Sequence, residues 1–146
     1  SDNTVEATIA VGHAPFAMAL SPDGTRLYVG NVQAGTVTVV DTTTLSVAET
    51  RQSGAMPYGA AVTPDGTRVL VTNQQASTLA VLGAAGAVET IKVGGYPEGV
   101  VVSGDGKRAY VANWFSDTVS EIDLERQAEV RRVKVPGGPR GLVILP

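Results

Sequence analysis

The feature that most constrains this chain is a sentence it writes three times. "ALSPDGTRLYVGN" (Ala19 to Asn31) returns as "AVTPDGTRVLVTN" (Ala61 to Asn73) and again as "VVSGDGKRAYVAN" (Val101 to Asn113). Pro15, Pro57, Pro97 and Pro139 stand 42, 40 and 42 residues apart. Gly24, Gly66 and Gly106 keep the same step, and so do Asn31, Asn73 and Asn113. Several markers in step at one period mark a repeat architecture, in which each unit must bury its faces against its neighbours.

Each unit reads as four short strands. The first follows the proline ("FAMALS", "YGAAVT", "EGVVVS", and finally "RGLVIL") and is nearly all apolar, as a strand buried on both faces would be. The turn "SPDG" suits a tight hairpin: proline presets φ, aspartate bonds its own backbone, and glycine accepts positive φ. "RLYVGN", "RVLVTN" and "RAYVAN" give the second strand, and "TVTVVD", "TLAVLG" and "TVSEID" the third. "SVAET", "AVETI" and "EVRRV" give a more polar, more exposed fourth. Valine and threonine dominate, and no apolar residues recur at helical spacing over a dozen positions.

Four antiparallel strands every ~40–45 residues is the arithmetic of a β-propeller blade. The spacing divides the chain into blades over 13–54, 55–94 and 95–136. Residues 1–12 then read as the outer strand of a preceding blade, and 137–146 as the inner strand of a closing one. Closed propellers need at least four blades. The expectation is therefore a partial ring completed by another chain, a second copy of this one, or a further segment.

The motifs "LYVGN", "VLVTN" and "AYVAN", each after "PDGTR" or "GDGKR", together resemble the YVTN β-propeller repeat. The resemblance covers nearly the whole chain. It departs from the pattern at Gly83, where the other units have Asp41 and Asp123, and at Gly104, where they have proline. It implies a propeller of the bacterial or archaeal envelope, periplasmic or extracellular, of the kind found in surface layers. The function implied is a non-catalytic binding or structural module contacting a protein or polymer. The alternative it leaves open is part of a propeller enzyme, lactonase-like or haem- or quinone-dependent dehydrogenase-like, with its catalytic groups largely outside this chain.

Composition narrows the chemistry. The formal net charge is −3 with a pI near 5.0, and Arg131–Arg132 is the densest basic spot, which argues against nucleic acid as a partner. Without cysteine there is no thiolate catalysis and no cysteine metal site. No apolar run approaches the roughly 20 residues of a membrane span, and "SDNTVEATIA" lacks the pattern of a signal peptide. Neither HExxH, GxSxG nor a phosphate loop is present, so the motifs call for no catalytic residue, metal or cofactor.

In a propeller the loops from fourth to first strand and from second to third open on one face around the channel. That face would carry His13, Tyr58, Tyr96, Glu98 and Arg140 from the first set of loops, and Trp114 and Phe115 from the second. Two adjacent large aromatics in a short loop cannot both point inward, so Trp114 and Phe115 read either as a partner contact with one ring exposed or as a lid over the hydrophobic space between blades. Glu98 and Arg140 follow the marker prolines of successive units and are placed to pair across the channel mouth or to clamp a polar ligand, with an ordinary semi-exposed ion pair as the expectation. His13, the sole histidine, has no partner cluster in the sequence and reads as a solvated loop residue. Asp23, Asp65 and Asp105 recur once per hairpin, which assigns them to the turn rather than to chemistry.

Overall fold

The structure is a computed structural model describing residues 3–83 and 86–145. Its first sheet holds β1 (Pro15–Leu20), β2 (Arg26–Asn31), β3 (Thr36–Asp41) and β4 (Ser46–Gln52). The second holds β5 (Pro57–Val62), β6 (Arg68–Asn73), β7 (Thr78–Gly83) and β8 (Val88–Lys92). The third holds β9 (Pro97–Val102), β10 (Arg108–Asn113), β11 (Thr118–Asp123) and β12 (Ala128–Lys134). Each sheet is an antiparallel meander with its strands in chain order.

The hairpin turns follow from their residues. Asp23, Asp65 and Asp105 each accept from the hydroxyl two residues before, on Ser21, Thr63 and Ser103, and from the backbone N–H two residues after. Gly24, Gly66 and Gly106 then close the turn at φ of 74°, 71° and 71°, a region open to glycine at no steric cost.

These hydrogen bonds favour the carboxylate form. The Thr63 hydroxyl, then the Thr67 amide and hydroxyl, hold Asp65 at about 2, against an ordinary 3.8. Asp41 lies at about 2 through the Thr43 hydroxyl and the Thr44 and Thr43 amides. A carboxylate depressed in the folded state stabilises fully above its unfolded pKa and loses that contribution as pH falls through the folded value. Thermal midpoints are therefore expected to hold level down to about pH 4 and to fall between about pH 4 and pH 2. Asp65→Asn should shrink that fall, whereas a profile unchanged by the substitution would remove the turn carboxylates as its cause.

The sheets pack face to face in chain order. Tyr28, Val37 and Val39 of the first meet Val69, Val71, Ala80 and Leu82 of the second. On the other side of the second sheet, Leu70, Leu79, Val81 and Ile91 meet Val100, Ala109, Val111 and Ile122 of the third. Side chains of this size each contribute roughly 1.5–3 kcal/mol when buried. Alternation along the strands of the second sheet thus supplies two opposite faces, each filled by a neighbouring sheet. These sheets are β-propeller blades, and three of them do not close a ring.

One expectation is corrected. In the first two blades the strands buried on both faces are the second and third, not the first. β5 and β9 are partly covered, while β1 exposes Phe16, Met18 and Leu20. The physical reason is position. The middle strands have a neighbour on either edge, whereas β1 also has no preceding blade in this chain. Among the described residues, 3–12 and 138–145 join no strand ladder.

A buried polar peg ties blade to blade. Asn31, Asn73 and Asn113 are fully buried. Their amides donate to third-strand hydroxyls: Asn31 to Thr36 and Thr38, Asn73 to Thr78, and Asn113 to Thr118 and Ser120. A methyl built on Gly12, Gly54 or Gly94 would lie 2.6, 2.6 or 2.5 Å from the asparagine that follows in the chain. The asparagines thus bridge the turn from second to third strand and also fill the joint between one blade's exit and the next blade's second strand.

Candidate functional site

The up-and-down course of each blade brings the two loop sets together at one end. The amides of Val32, Gln74 and Trp114 donate to the carbonyls of Ala14, Met56 and Tyr96 at 2.9, 2.8 and 3.0 Å. Those three carbonyl residues precede the marker prolines and take left-handed φ of 55°, 58° and 51°, and Gly138, before Pro139, takes 60°. A proline disfavours right-handed helical backbone in the residue before it, and the cross-loop hydrogen bond fixes the remaining choice. The positive φ turns each entry sharply from the outer rim toward the channel.

A β-bulge follows at the same place in every blade, between Pro15 and Ala17, between Pro57 and Gly59, and opposite Val111 to Asn113 in the third. The residues left over are Phe16, Tyr58 and Glu98. A bulge re-aims the extra side chain and is over-represented beside functional sites. Phe16 and Tyr58, from adjacent blades, stack with ring centroids 4.4 Å apart and planes at 30°.

Next around the rim is a polar and aromatic group. Glu98 is only 6% exposed; Gln74 donates to its Oε1 at 3.0 Å, and Arg140 Nε lies 3.8 Å from its Oε2. The Arg140 guanidinium lies over the Trp114 ring, 5.1 Å from the centroid. Tyr96 meets Trp114 edge-on at 6.2 Å and Phe115 at 6.0 Å. The two loop aromatics divide their roles. Trp114 is half-buried and its indole nitrogen leaves no room for a side chain at Gly138, whereas Phe115 is 73% exposed. Asp117 completes the clasp by accepting from the Gly138 amide at 2.8 Å.

Trp114, Phe115, Tyr96, Glu98 and Arg140 therefore come together, and Tyr58 belongs to the neighbouring stacked pair. His13 is exposed and joins neither ring group. The pairing of Glu98 with Arg140 is present, but it is not the semi-exposed ion pair expected. The carboxylate is buried between blades, and the guanidinium is mostly in solvent. Asp117 belongs to the loop "NWFSD" that the sequence places on this face, whereas Phe16 and Gly138 carry no motif of their own. Their positions relative to the marker prolines identify both, because Phe16 aligns with Tyr58, and Gly138 aligns with Tyr96 and Met56.

The two ends of the blades differ in chemistry. The aromatic end carries Phe16, Tyr58, Tyr96, Trp114 and Phe115. The other end carries the turn aspartates with Arg26, Lys107, Glu125 and Arg126. Its interblade cleft of about 300 Å³ is lined by Asp23, Asp65, Arg26 and Arg51, but both carboxylates are committed to their turns. Among the described residues no three His, Cys, Asp or Glu side chains come together as metal ligands, and no helix is long and apolar enough to cross a membrane.

Comparison with solved structures places this architecture. The chain is similar to hydrazine synthase of Kuenenia stuttgartiensis, with a TM-score of 0.86 and 32% identity over 95% of this chain. It also matches a functionally unknown protein from Desulfotomaculum acetoxidans DSM 771, with a TM-score of 0.77 and 16% identity over 90% of this chain. The fold is shared; the lengths are not. The chain spans 42% of the first and 45% of the second. No family model and no curated protein matches it.

Proposed function

We propose that this chain is a segment of a non-catalytic β-propeller module of the YVTN repeat kind, situated in the cell envelope, that binds a protein or polymer through its aromatic loop face. The observation that carries this reading is the segregation of residue types between the two ends of the blades. Partner-binding cores are depleted in charge and enriched in Trp, Tyr, Phe and Arg, and the energy concentrates in a few such residues. Phe115, Tyr96 and Arg140 form such a group, exposed on a rigid scaffold and backed by Trp114. A further segment or chain completes the ring.

The test is retention of the purified chain on isolated envelope material from the source cells. Combining Phe115→Asp with Tyr96→Asp is expected to lower retention at least ~10-fold, since truncating one hot-spot residue costs about 2 kcal/mol or more. Combining Lys107→Ala with Glu125→Ala, at the other end, should leave it unchanged. Equal retention of all three proteins would overturn the reading.

A second reading, a segment of a propeller enzyme, is favoured by the likeness to hydrazine synthase. In that case the catalytic groups lie largely outside this chain, and the aromatic face is a contact to the subunit or segment that holds them.

A further inference from the structure

The loop-face reading leaves the chemistry of the partner open, and the arrangement around Arg140 narrows it. The Arg140 side chain is 63% exposed, yet its position is fixed from three directions. Its guanidinium rests on the Trp114 ring. Two residues earlier, Gly138 is pinned by the Asp117 carboxylate and packed against the Trp114 indole. Its own carbonyl lies so close to Gly99 that a side chain there would collide with it.

Among the described residues its guanidinium has one ion-pair partner and keeps its donors free of it. Glu98 Oε2 is 3.8 Å from Arg140 Nε, beyond hydrogen-bond length, and the other carboxylate oxygen is engaged by Gln74. The stacked guanidinium therefore keeps a planar fork of N–H donors directed at solvent. Such a fork matches a carboxylate in a bidentate pair, and stacking it beforehand reduces the order lost on binding. Asp117, the other acidic group of this clasp, accepts from the Gly138 amide through Oδ1 and forms no ion pair with Arg140. Beside the fork lie Tyr96 and the exposed ring of Phe115.

We propose that Arg140 reads a carboxylate: the loop face takes a polypeptide partner at an acidic side chain, with a neighbouring apolar residue seated against Phe115 and Tyr96. This rests on the loop-face reading above and specifies its chemistry. Trp114 is the only tryptophan, so its fluorescence reports directly on the guanidinium above it.

The experiment titrates the 146-residue chain with three blocked dipeptides, N-acetyl-Glu-Leu-amide, its Gln-Leu analogue and its Lys-Leu analogue, following Trp114 emission with calorimetry alongside. The Glu-Leu probe is expected to bind saturably, at least ~5-fold more tightly than Gln-Leu, and to weaken several-fold between about 0.05 and 0.5 M salt. Arg140→Gln should abolish the preference, and Arg140→Lys should restore part of it, because a point charge replaces the fork. Calorimetry keeps the variants readable if their emission changes. Equal binding of Glu-Leu and Gln-Leu, or tighter binding of Lys-Leu, would overturn the carboxylate assignment while leaving an apolar loop face standing. No binding of any probe up to about 20 mM, a free energy weaker than about 2.3 kcal/mol by the affinity relation, would overturn the assignment and count against the loop-face reading as well.

Discussion

Gly59→Ala is expected to cost this chain roughly 3 kcal/mol or more, in the upper range for overpacking of a filled interior. A methyl group at Gly59 would collide with the backbone carbonyl of Glu98 in the next blade and lie 2.9 Å from Thr72 Oγ1. Neither obstacle can easily give way. Thr72 Oγ1 is bonded to that carbonyl at 2.7 Å and also accepts from the Gly59 amide at 2.8 Å, so the methyl would pry apart β5, β6 and β9 together. In thermal unfolding the midpoint should drop by about 6 °C or more, at the usual few degrees per kcal/mol for a chain of this size. Gly99→Ala, which meets the Arg140 carbonyl in the same way, should cost less, because residues 138–145 join no ladder and the displaced carbonyl breaks no strand pairing. Equal losses from the two substitutions would contradict this account of how successive inner strands nest.

The second large effect lies at the buried peg. Asn73→Ala removes the amide that donates to the Ser53 carbonyl at 3.1 Å and the oxygen that accepts from the Ser53 hydroxyl at 3.0 Å. Each buried polar group left without a partner costs about 1–3 kcal/mol, so a loss of roughly 2–4 kcal/mol is expected. The repeat contains its own comparison. Val11 and Val93 stand where Ser53 does, and the side-chain oxygens of Asn31 and Asn113 are accordingly buried without a partner. Ser53→Ala puts Asn73 into that same condition and should cost only about 1 kcal/mol. Denaturant midpoints for the two variants measure the difference, and a Ser53→Ala loss equal to that of Asn73→Ala would mean that the asparagine acts only through the serine.

Much of the fold was legible because its determinants are local. Val and Thr alternation wrote the strands, and Ser-Pro-Asp-Gly and its variants wrote the hairpins, including the one where Gly104 replaces proline. The period of the marker prolines then fixed how the strands group into blades. Burial was less legible. A run such as "FAMALS" reads as buried on both sides only if a blade stands on both sides, and β1 lacks one.

At the loop face, the sequence indicated which residues share a rim but not which of them touch. Trp114 and Phe115 look alike as neighbours. They separate only when Gly138, from the following unit, packs on the indole and leaves the phenyl ring outside. Glu98 reads as a surface acid until the bulge in β9 and the side chain of Gln74, from the preceding blade, enclose it. Such contacts join residues more than twenty positions apart across a blade boundary. Propensity does not encode them, although the repeat register equates the positions where they occur.

The most direct measurement of the central claim, that the aromatic end of the blades is the binding surface, is site-specific photo-cross-linking in the source cells. A benzophenone side chain would be placed at Phe115 in one protein and at Thr67, on the turn at the opposite end, in another. The expected result is a single discrete adduct from position 115, lost when Arg140→Gln is combined with it, and none from position 67. Adducts of equal yield from both positions, or from position 67 alone, would contradict the claim.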